Sequence, residues 1–353
     1  MSWSQDVQQG IRTARDLPRL VGNPQAGADS KKLTKIFKVR APKSYIDLVN
    51  PSDPHDPIAA QFFPDERELR FLSGELPDPI GDKRWEKAPR LVHRYPDRVL
   101  LFPTFQCAVY CRYCFRKERI NDEGEGFSKA AIASALSYIA SQPELREVIL
   151  SGGDPWTLSD RQLKQLRIEL EKISHLRLLR VHTRVPVVLP RRVTSDLVDA
   201  LRGRLMVCVV MHFNHPREIT NDAIVACQRL REGGFMLLNQ TVLLRGVNDD
   251  ETTLKTLMQE LVYSLGAKPY YLHHCDKTRG IGHFRTTIEH GTTLMRSLRG
   301  HISGVCVPNY MLDLPGGDGK VPLGPSYVER HSGQEWGFRT YDGKTHTYVE
   351  EPT

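Results

Sequence analysis

The chain has 353 residues, of which 40% are hydrophobic and 26% charged, and its formal net charge is +7. This composition is ordinary for a globular protein, and the chain has no block of consecutive Lys and Arg that would form a nucleic-acid-binding tail. Because the N-terminus lacks the apolar segment of a signal peptide and no apolar run has transmembrane length, we expect a cytoplasmic protein with neither a membrane nor a nucleic-acid partner.

The predicted elements fall into three regions: a helical and irregular N-terminal region (1–90), a core (91–320) and a C-terminal tail packing on that core (321–353). In chain order, the core elements are strand 98–102, helix 127–142, strand 147–150, helix 160–173, strand 176–182, helix 194–201, strand 205–212, helix 219–232, strand 235–240, helix 250–265, strand 269–273, helix 292–298 and strand 304–307. The tail contains strand-like pieces at 336–341 and 345–349.

This repeating order of strand and helix indicates the fold class. Short and almost continuously apolar strands that alternate with amphipathic helices are typical of a parallel sheet covered by helices. About six such units predict an α/β fold built on a partial (β/α)6-type barrel. In such barrels the chemistry lies at the C-terminal ends of the strands, so polar motifs at those ends are candidates for the functional site.

Three cysteines follow the first core strand closely, namely Cys107, Cys111 and Cys114, in a C-x3-C-x2-C spacing. Thiolates are the ligands of iron–sulfur clusters, and three of them would leave the fourth iron of a [4Fe–4S] cluster open to a small molecule. Structural zinc is disfavoured because no second cysteine pair has finger spacing, and a thioredoxin-like redox pair would not need Cys107. A disulfide framework does not fit a chain of this size with an odd number of cysteines.

This cysteine spacing resembles the signature of the radical S-adenosylmethionine superfamily, whose fold is a partial (β/α) barrel. The resemblance implies that the open iron binds S-adenosylmethionine and that one electron from the cluster cleaves it to a 5′-deoxyadenosyl radical. It also implies cofactor-binding roles for the tetrapeptide after the second strand, Ser151, Gly152, Gly153 and Asp154. Three later strands end at Arg184, His212 and Gln240, and their placement on one rim favours cofactor binding over ordinary satisfaction of strand ends.

A glycine-rich segment, Pro315–Lys320, ends in a lysine but lacks the spacing of a phosphate-binding P-loop. From spacing alone Lys320 is a solvated loop lysine, although a lysine on a permissive loop can also form a Schiff base with pyridoxal phosphate. Residues from about 40 to 351 resemble lysine 2,3-aminomutases, and the matching motifs include those around His93–Arg98, His212–Pro216, Asn239–Asp249 and Pro315–Lys320. The resemblance implies that Lys320 carries pyridoxal phosphate and that Arg94, Tyr95 and Arg98 contact it.

The same resemblance implies the substrate contacts. Arg116 would bind the substrate carboxylate, and Asp276 and Asp313 would bind a distal ammonium, which favours a cationic substrate. The expected activity is that of an isomerase, a radical aminomutase that converts L-lysine to β-lysine by a 1,2-amino shift. It would depend on a [4Fe–4S] cluster, S-adenosylmethionine and pyridoxal 5′-phosphate, and on an electron donor such as flavodoxin or ferredoxin.

The alternatives are a mutase for ornithine or arginine, a supplier of β-lysine for modification of elongation factor P, and, outside the class, an iron–sulfur or zinc module that binds nucleic acid. The chain lacks the cysteine-rich C-terminal extension of long family members, so we expect no zinc-stapled assembly. A homo-oligomer of another kind stays open.

Overall fold

A computed structural model describes residues 2–13, 16, 33–34, 37–122 and 126–351. Within these residues, ten strands form one sheet in which the spatial order follows the chain order. The strands are β1 (Glu86–Ala88), β2 (Leu91–Tyr95), β3 (Arg98–Thr104), β4 (Glu147–Gly152), β5 (Leu178–Thr183), β6 (Met206–Met211), β7 (Met236–Leu243), β8 (Lys268–His274), β9 (Asn309–Asp313) and β10 (Lys320–Pro322).

The central strands β3 to β9 pair in parallel. Antiparallel pairs extend the sheet at both edges, with β1 and β2 preceding β3 and with β10 following β9. Because β1 and β10 end the order without pairing with each other in the described part of the chain, the sheet is an open, partial barrel. The predicted fold class is therefore confirmed.

Helices connect the parallel strands, as right-handed crossovers require. The helices of the described residues are α1 (Trp3–Gln9), α2 (Lys43–Ile46), α3 (Lys117–Asp122), α4 (Lys129–Ala140), α5 (Asp160–Glu171), α6 (Val185–Val188), α7 (Ser195–Leu201), α8 (Asn221–Glu232), α9 (Glu251–Tyr263) and α10 (Ile288–Leu298). Seven of them begin after a side chain that accepts a backbone N–H of the first turn, namely Ser2, Ser128, Ser159, Thr194, Thr220, Asp250 and Thr287. None of the described helices is long and apolar enough to cross a bilayer.

Two predicted elements at the C-terminal end of the core differ from those of the structure. The last core strand is β9, whereas the predicted strand 304–307 contains a short 3-10 helix, Gly304–Cys306. Pro308 cannot donate to a ladder, so strand pairing begins only after it. The predicted helix 292–298 begins a turn earlier, because the Thr287 hydroxyl accepts the N–H of His290 and caps α10 there.

Residues 86–95 are also more regular than predicted, since β1 and β2 replace an irregular lead-in. Arg94 and Tyr95 thus lie on a strand rather than before one. The tail contains the expected strands as a separate antiparallel sheet of β11 (Val328–Ser332), β12 (Glu335–Arg339) and β13 (Thr345–Val349).

Candidate active site

The three cysteines lie on the loop between β3 and α3, which we call the cysteine loop (residues 105–116). All three are half-buried and free. The N-terminal region frames this loop: Arg112 forms a fully buried ion pair with Glu68, and its backbone N–H donates to the carbonyl of Gln61 at 2.9 Å. Burying two charges costs free energy unless they are placed well for each other. The Arg112–Glu68 pair therefore restricts the conformations that the cysteine loop can adopt.

Burial raises the pKa of Cys107 and Cys114, the latter to about 12, and the neighbouring thiolates contribute to both shifts. Thiols this close to one another stay protonated until a cation compensates their charge, which is what iron ions would do. In the described residues no three His, Cys, Asp or Glu side chains converge as ligands of a single ion. The donor set fits a cluster whose irons each take one thiolate.

The Ser151–Asp154 tetrapeptide packs against the end of β3 and the start of the cysteine loop. A Cβ on Gly153 would lie 2.5 Å from the Gln106 carbonyl oxygen, and one on Gly152, whose φ is +101°, would lie 2.9 Å from that of Thr104. Sequence reasoning expected these glycines to allow close approach of a ligand. The structure shows that they also allow close approach of two backbones, and the contact with a ligand stays a prediction.

Asp154 serves the same purpose, because its carboxylate accepts the Thr183 hydroxyl and the Arg184 N–H, both at 2.7 Å. Its own N–H donates to the Gln106 carbonyl at 2.8 Å. Asp154 therefore ties the ends of β4 and β5 to the cysteine loop, and its carboxylate already has protein partners.

Arg184 lies directly behind this loop. Its Nη1 lies 2.9 Å from the Cys111 sulfur, and its Nη2 donates to the Tyr45 hydroxyl and to Glu218 Oε1, both at 2.8 Å. Glu218 is fully buried and also accepts the N–H of Asn214 at 2.6 Å. This network was not apparent from the sequence, because Tyr45 and Glu218 are 173 residues apart.

Arg116 and Arg94 meet around Asp82, a buried acid of the N-terminal region. Arg116 Nε donates to Asp82 Oδ2 at 2.7 Å, and its Nη1 donates to the Ser151 hydroxyl at 3.2 Å. Arg94 Nη2 lies 3.6 Å from Asp82 Oδ1 and donates to the Ile80 carbonyl. Two arginines that were predicted for different anions therefore share one carboxylate.

Lys320 lies at the start of β10 rather than on a loop, directly opposite Asp313 of β9. Its ammonium pairs with both oxygens of that carboxylate. His273 Nδ1 lies 3.4 Å from the same group. Burial by itself would raise the pKa of Asp313, but the hydrogen bond from His273 and the charge of Lys320 hold it well below its usual range.

Asp276 follows β8 on the same side of the sheet. Burial and the Asp313 charge raise its pKa to about 7, although Lys320 and Arg116 act in the opposite direction. The charges of Asp313, Lys320 and Arg116 thus all act on Asp276, so these four side chains lie close enough to interact electrostatically. The structure therefore brings together the residues predicted for substrate binding with the lysine predicted for pyridoxal phosphate.

The remaining predicted residues lie in the interior of the barrel or at the end where its parallel strands begin. His212 follows β6, and burial together with the charges of its neighbours lowers its pKa to about 3, so it is neutral. Gln240 lies within β7, at an irregularity in the pairing with β8, rather than at the strand end. Arg98 begins β3, at the opposite end from the cysteine loop, and stacks on Tyr95 with its guanidinium carbon 4.0 Å from the ring centroid.

Sequence reasoning missed His182, His273 and Asp82. His182 of β5 and His273 of β8 lie in the interior of the barrel. Burial lowers the pKa of both side chains, so both are neutral. Alternation along β5 is the signal that could have found His182, since Leu179 and Val181 are buried on the other face.

Comparison with known proteins agrees with this geometry. The radical SAM superfamily matches residues 101–257, and a lysine-2,3-aminomutase family matches residues 295–353. L-lysine 2,3-aminomutase from Clostridium subterminale is 38% identical over 99% of this chain and 84% of its own length. The chain belongs to the lysine 2,3-aminomutase family. A putative L-lysine 2,3-aminomutase from Aquifex aeolicus is 40% identical over 98% of this chain and 94% of its own length.

Membership in the lysine 2,3-aminomutase family confirms the resemblance found in the motifs and makes the protein an isomerase. The radical SAM core implies a [4Fe–4S] cluster and S-adenosylmethionine, and the lysine mutases of the family use pyridoxal phosphate. Family membership does not by itself give the substrate. A glutamate 2,3-aminomutase from Clostridioides difficile is 37% identical over 91% of this chain and 76% of its own length.

Proposed function

We propose that this enzyme converts L-lysine to β-lysine by moving the amino group from C2 to C3, with pyridoxal phosphate bound at Lys320. The observation that carries the proposal is a pair of acids at one place: Asp313 binds the ammonium of Lys320, and Asp276 lies near enough for the charges of Asp313 and Lys320 to shift its pKa. This pocket already holds one primary ammonium, which is the group at the end of a lysine side chain. A glutamate side chain would bring a third carboxylate to the same place and would be repelled.

The protein's own residues would bind, orient and enclose the reactants. Cys107, Cys111 and Cys114 would hold the cluster, while Ser151–Asp154, Arg184, His212 and Gln240 would surround S-adenosylmethionine. Arg94, Tyr95 and Arg98 would bind the phosphate of the second cofactor, and Arg116 the substrate carboxylate. When bound, S-adenosylmethionine supplies the radical and pyridoxal phosphate supplies the π system over which nitrogen migrates.

Holding the substrate at both ends is the main contribution of the chain to the rate. Arg116 would take the carboxylate and the two acids the ammonium, so that the carbon chain between them has one orientation. The neutral state of His182, His212 and His273 keeps further charge away from the interior. The three thiolates need a reducing compartment, so we place the enzyme in the cytoplasm, with flavodoxin or ferredoxin as electron donor.

The test is anaerobic reconstitution with iron, sulfide and pyridoxal phosphate, followed by product analysis with lysine, ornithine, arginine and glutamate as separate substrates. We expect β-lysine from lysine and at least about tenfold slower turnover of the others, because their side chains fit the acid pair less well. Preferential turnover of glutamate, ornithine or arginine would overturn the substrate assignment.

Lys320→Ala tests the binding of pyridoxal phosphate directly. The wild type should show the visible band of lysine-bound pyridoxal phosphate, at about 410–420 nm, and the variant should lack both the band and turnover. Lys344→Ala is the matched control, since Lys344 is an exposed lysine between β12 and β13 whose ammonium pairs with Asp342. An unchanged band in Lys320→Ala would show that the cofactor lies elsewhere.

A further inference from the structure

We propose that Asp82 is a positioning residue that orients Arg116 for the substrate carboxylate through the hydrogen bond at Arg116 Nε. The inference rests on the proposed function, because it assumes that Arg116 binds a carboxylate. Nothing in the sequence pattern marks Asp82, which lies in the N-terminal region and outside the barrel strands.

The contacts of Arg116 leave its guanidinium little freedom. Asp82 accepts from Nε at 2.7 Å and Ser151 accepts from Nη1 at 3.2 Å. The guanidinium carbon also lies 4.9 and 4.5 Å from the ring centroids of Phe102 and Phe115. The five donors of a guanidinium have a fixed planar arrangement, so fixing Nε also fixes the direction of the terminal nitrogens. The terminal edge is then presented for a carboxylate.

Asp82 is itself held firmly. Its backbone N–H donates to Asp78 Oδ1 at 3.0 Å, and that of Lys83 donates to Asp78 Oδ2 at 2.9 Å. The preceding Gly81 has φ of +66°, and a Cβ there would lie 2.5 Å from the Gly316 carbonyl oxygen. The turn that carries Asp82 is therefore wedged against the glycine segment before Lys320.

The second oxygen of Asp82 explains why an acid stands here. Oδ1 is buried and has no hydrogen-bond partner among the described residues, but it lies 3.6 Å from Arg94 Nη2. One carboxylate thus separates two guanidinium groups that would otherwise repel each other in a partly buried site. The arginine for the substrate and the arginine for the cofactor are kept at a defined spacing.

The experiment compares Asp82→Asn with Asp82→Ala in protein loaded with pyridoxal phosphate. Both variants remove the charge, but only asparagine keeps an oxygen that can accept from Arg116 Nε, so their difference reports the hydrogen bond. The ligands are lysine and 1,5-diaminopentane, which has both amines of lysine and no carboxylate. Dissociation constants come from the change in the visible band without S-adenosylmethionine, so that turnover plays no part.

We expect lysine to bind about tenfold more weakly to Asp82→Ala than to Asp82→Asn, and the diamine to bind both equally, because only lysine uses Arg116. Equal lysine affinity of the two variants would overturn the proposal. So would an equal loss for lysine and diamine, since that would mean general damage to the site. Asp318→Asn, which removes an exposed ion pair with Arg84 beside the same glycine segment, should match the wild type.

Crystal structures of the two variants provide a test that needs no cofactor. We expect Arg116 to keep its contact with Ser151 in Asp82→Asn and to leave it in Asp82→Ala, whereas an unmoved Arg116 in Asp82→Ala would contradict the proposal. A wild-type protein whose visible band does not respond to lysine would instead refute the proposed function. The two failures are thus distinguishable.

Discussion

Asp276, just after β8, and Asp313, at the end of β9, are the same type of side chain, but their pKa values are shifted in opposite directions. Asp313 has a cation and a hydrogen-bond donor beside it, which stabilise the ionised form. Asp276 is buried beside that negative charge, and its pKa is raised to about 7. A single proton on Asp276 therefore changes the charge of the pocket near neutral pH, while Asp313 stays ionised.

This difference predicts the pH dependence of lysine binding. The ionised form of Asp276 binds the substrate ammonium, so affinity should be full above its pKa and should fall as the pH drops through 7. Between pH 8 and pH 6 we expect the dissociation constant of lysine, followed by the visible band, to rise by up to about tenfold.

The control for this prediction is Asp276→Asn, which should bind lysine more weakly and lose this pH dependence, because it has no group to titrate there. Protonation of the free amino acid affects both proteins equally and therefore cancels in the comparison. If the variant kept the dependence of the wild type, another group would be responsible.

At the scale of elements, the N-terminal region is part of the site and not a lead-in to it. Residues 79–85 pack on the glycine segment before Lys320, where Trp85 Nε1 donates to the Gly317 carbonyl at 3.1 Å. The N–H of Gly316 donates to the Pro79 carbonyl at 3.0 Å. This contact joins the two edges of the open barrel near Lys320, where a closed barrel would have strand pairing.

Gly81→Ala tests that contact. Gly81 and Gly74 both have positive φ, but a Cβ at Gly74 meets nothing within 4 Å, while one at Gly81 meets the backbone of Gly316. Gly74→Ala should cost about 1 kcal/mol of unfolding free energy from backbone strain alone. Gly81→Ala should cost at least about 2–3 kcal/mol and weaken the binding of pyridoxal phosphate.

Urea unfolding and titration with the cofactor measure these two effects. Gly74→Ala serves as the matched control, since it carries the strain without the collision. Equal losses in the two variants would mean that the glycine segment yields to the added methyl group without consequence.

At the scale of the whole molecule, the barrel and the C-terminal sheet differ in how they are buried. Strands β4 and β6 of the barrel consist almost entirely of buried residues, whereas every residue of β11 and β13 is exposed. The C-terminal sheet touches the barrel through Tyr341, whose ring lies 5.6 Å from that of His301 and fills the space beside Gly300.

We therefore expect the amide hydrogens of 328–349 to exchange with solvent well before those of β4 and β6, because few apolar contacts oppose local opening. Hydrogen exchange followed by mass spectrometry measures this order. Repeating it over a range of dilutions separates intrinsic protection from protection by a second copy of the chain. Protection of the C-terminal sheet equal to that of the barrel at every dilution would contradict the expectation.

Local patterns in the sequence were sufficient for much of this protein. The C-x3-C-x2-C spacing lies within one loop, and the alternation of strands and helices depends on periodicities of a few residues, so both could be read without a fold. The helix caps Ser128 and Thr194 are equally local, since each accepts the N–H of a residue three positions further along the chain. The family motifs brought Lys320, Asp276 and Asp313 forward as candidates, although nothing in their spacing required them to meet.

Tertiary structure alone decided which groups share a site and what the glycines are for. Asp82 meets Arg116, and Glu218 meets Tyr45, across long separations that no local period encodes. Gly152 leaves room for Phe102 and Thr104 of β3, and Gly153 leaves room for the start of the cysteine loop, neighbours that only the parallel pairing of β3 with β4 provides. Motifs such as the cysteine spacing depend only on residues that are near one another in the chain. Ion pairs and backbone contacts between distant segments depend on distances that exist only after the chain has folded.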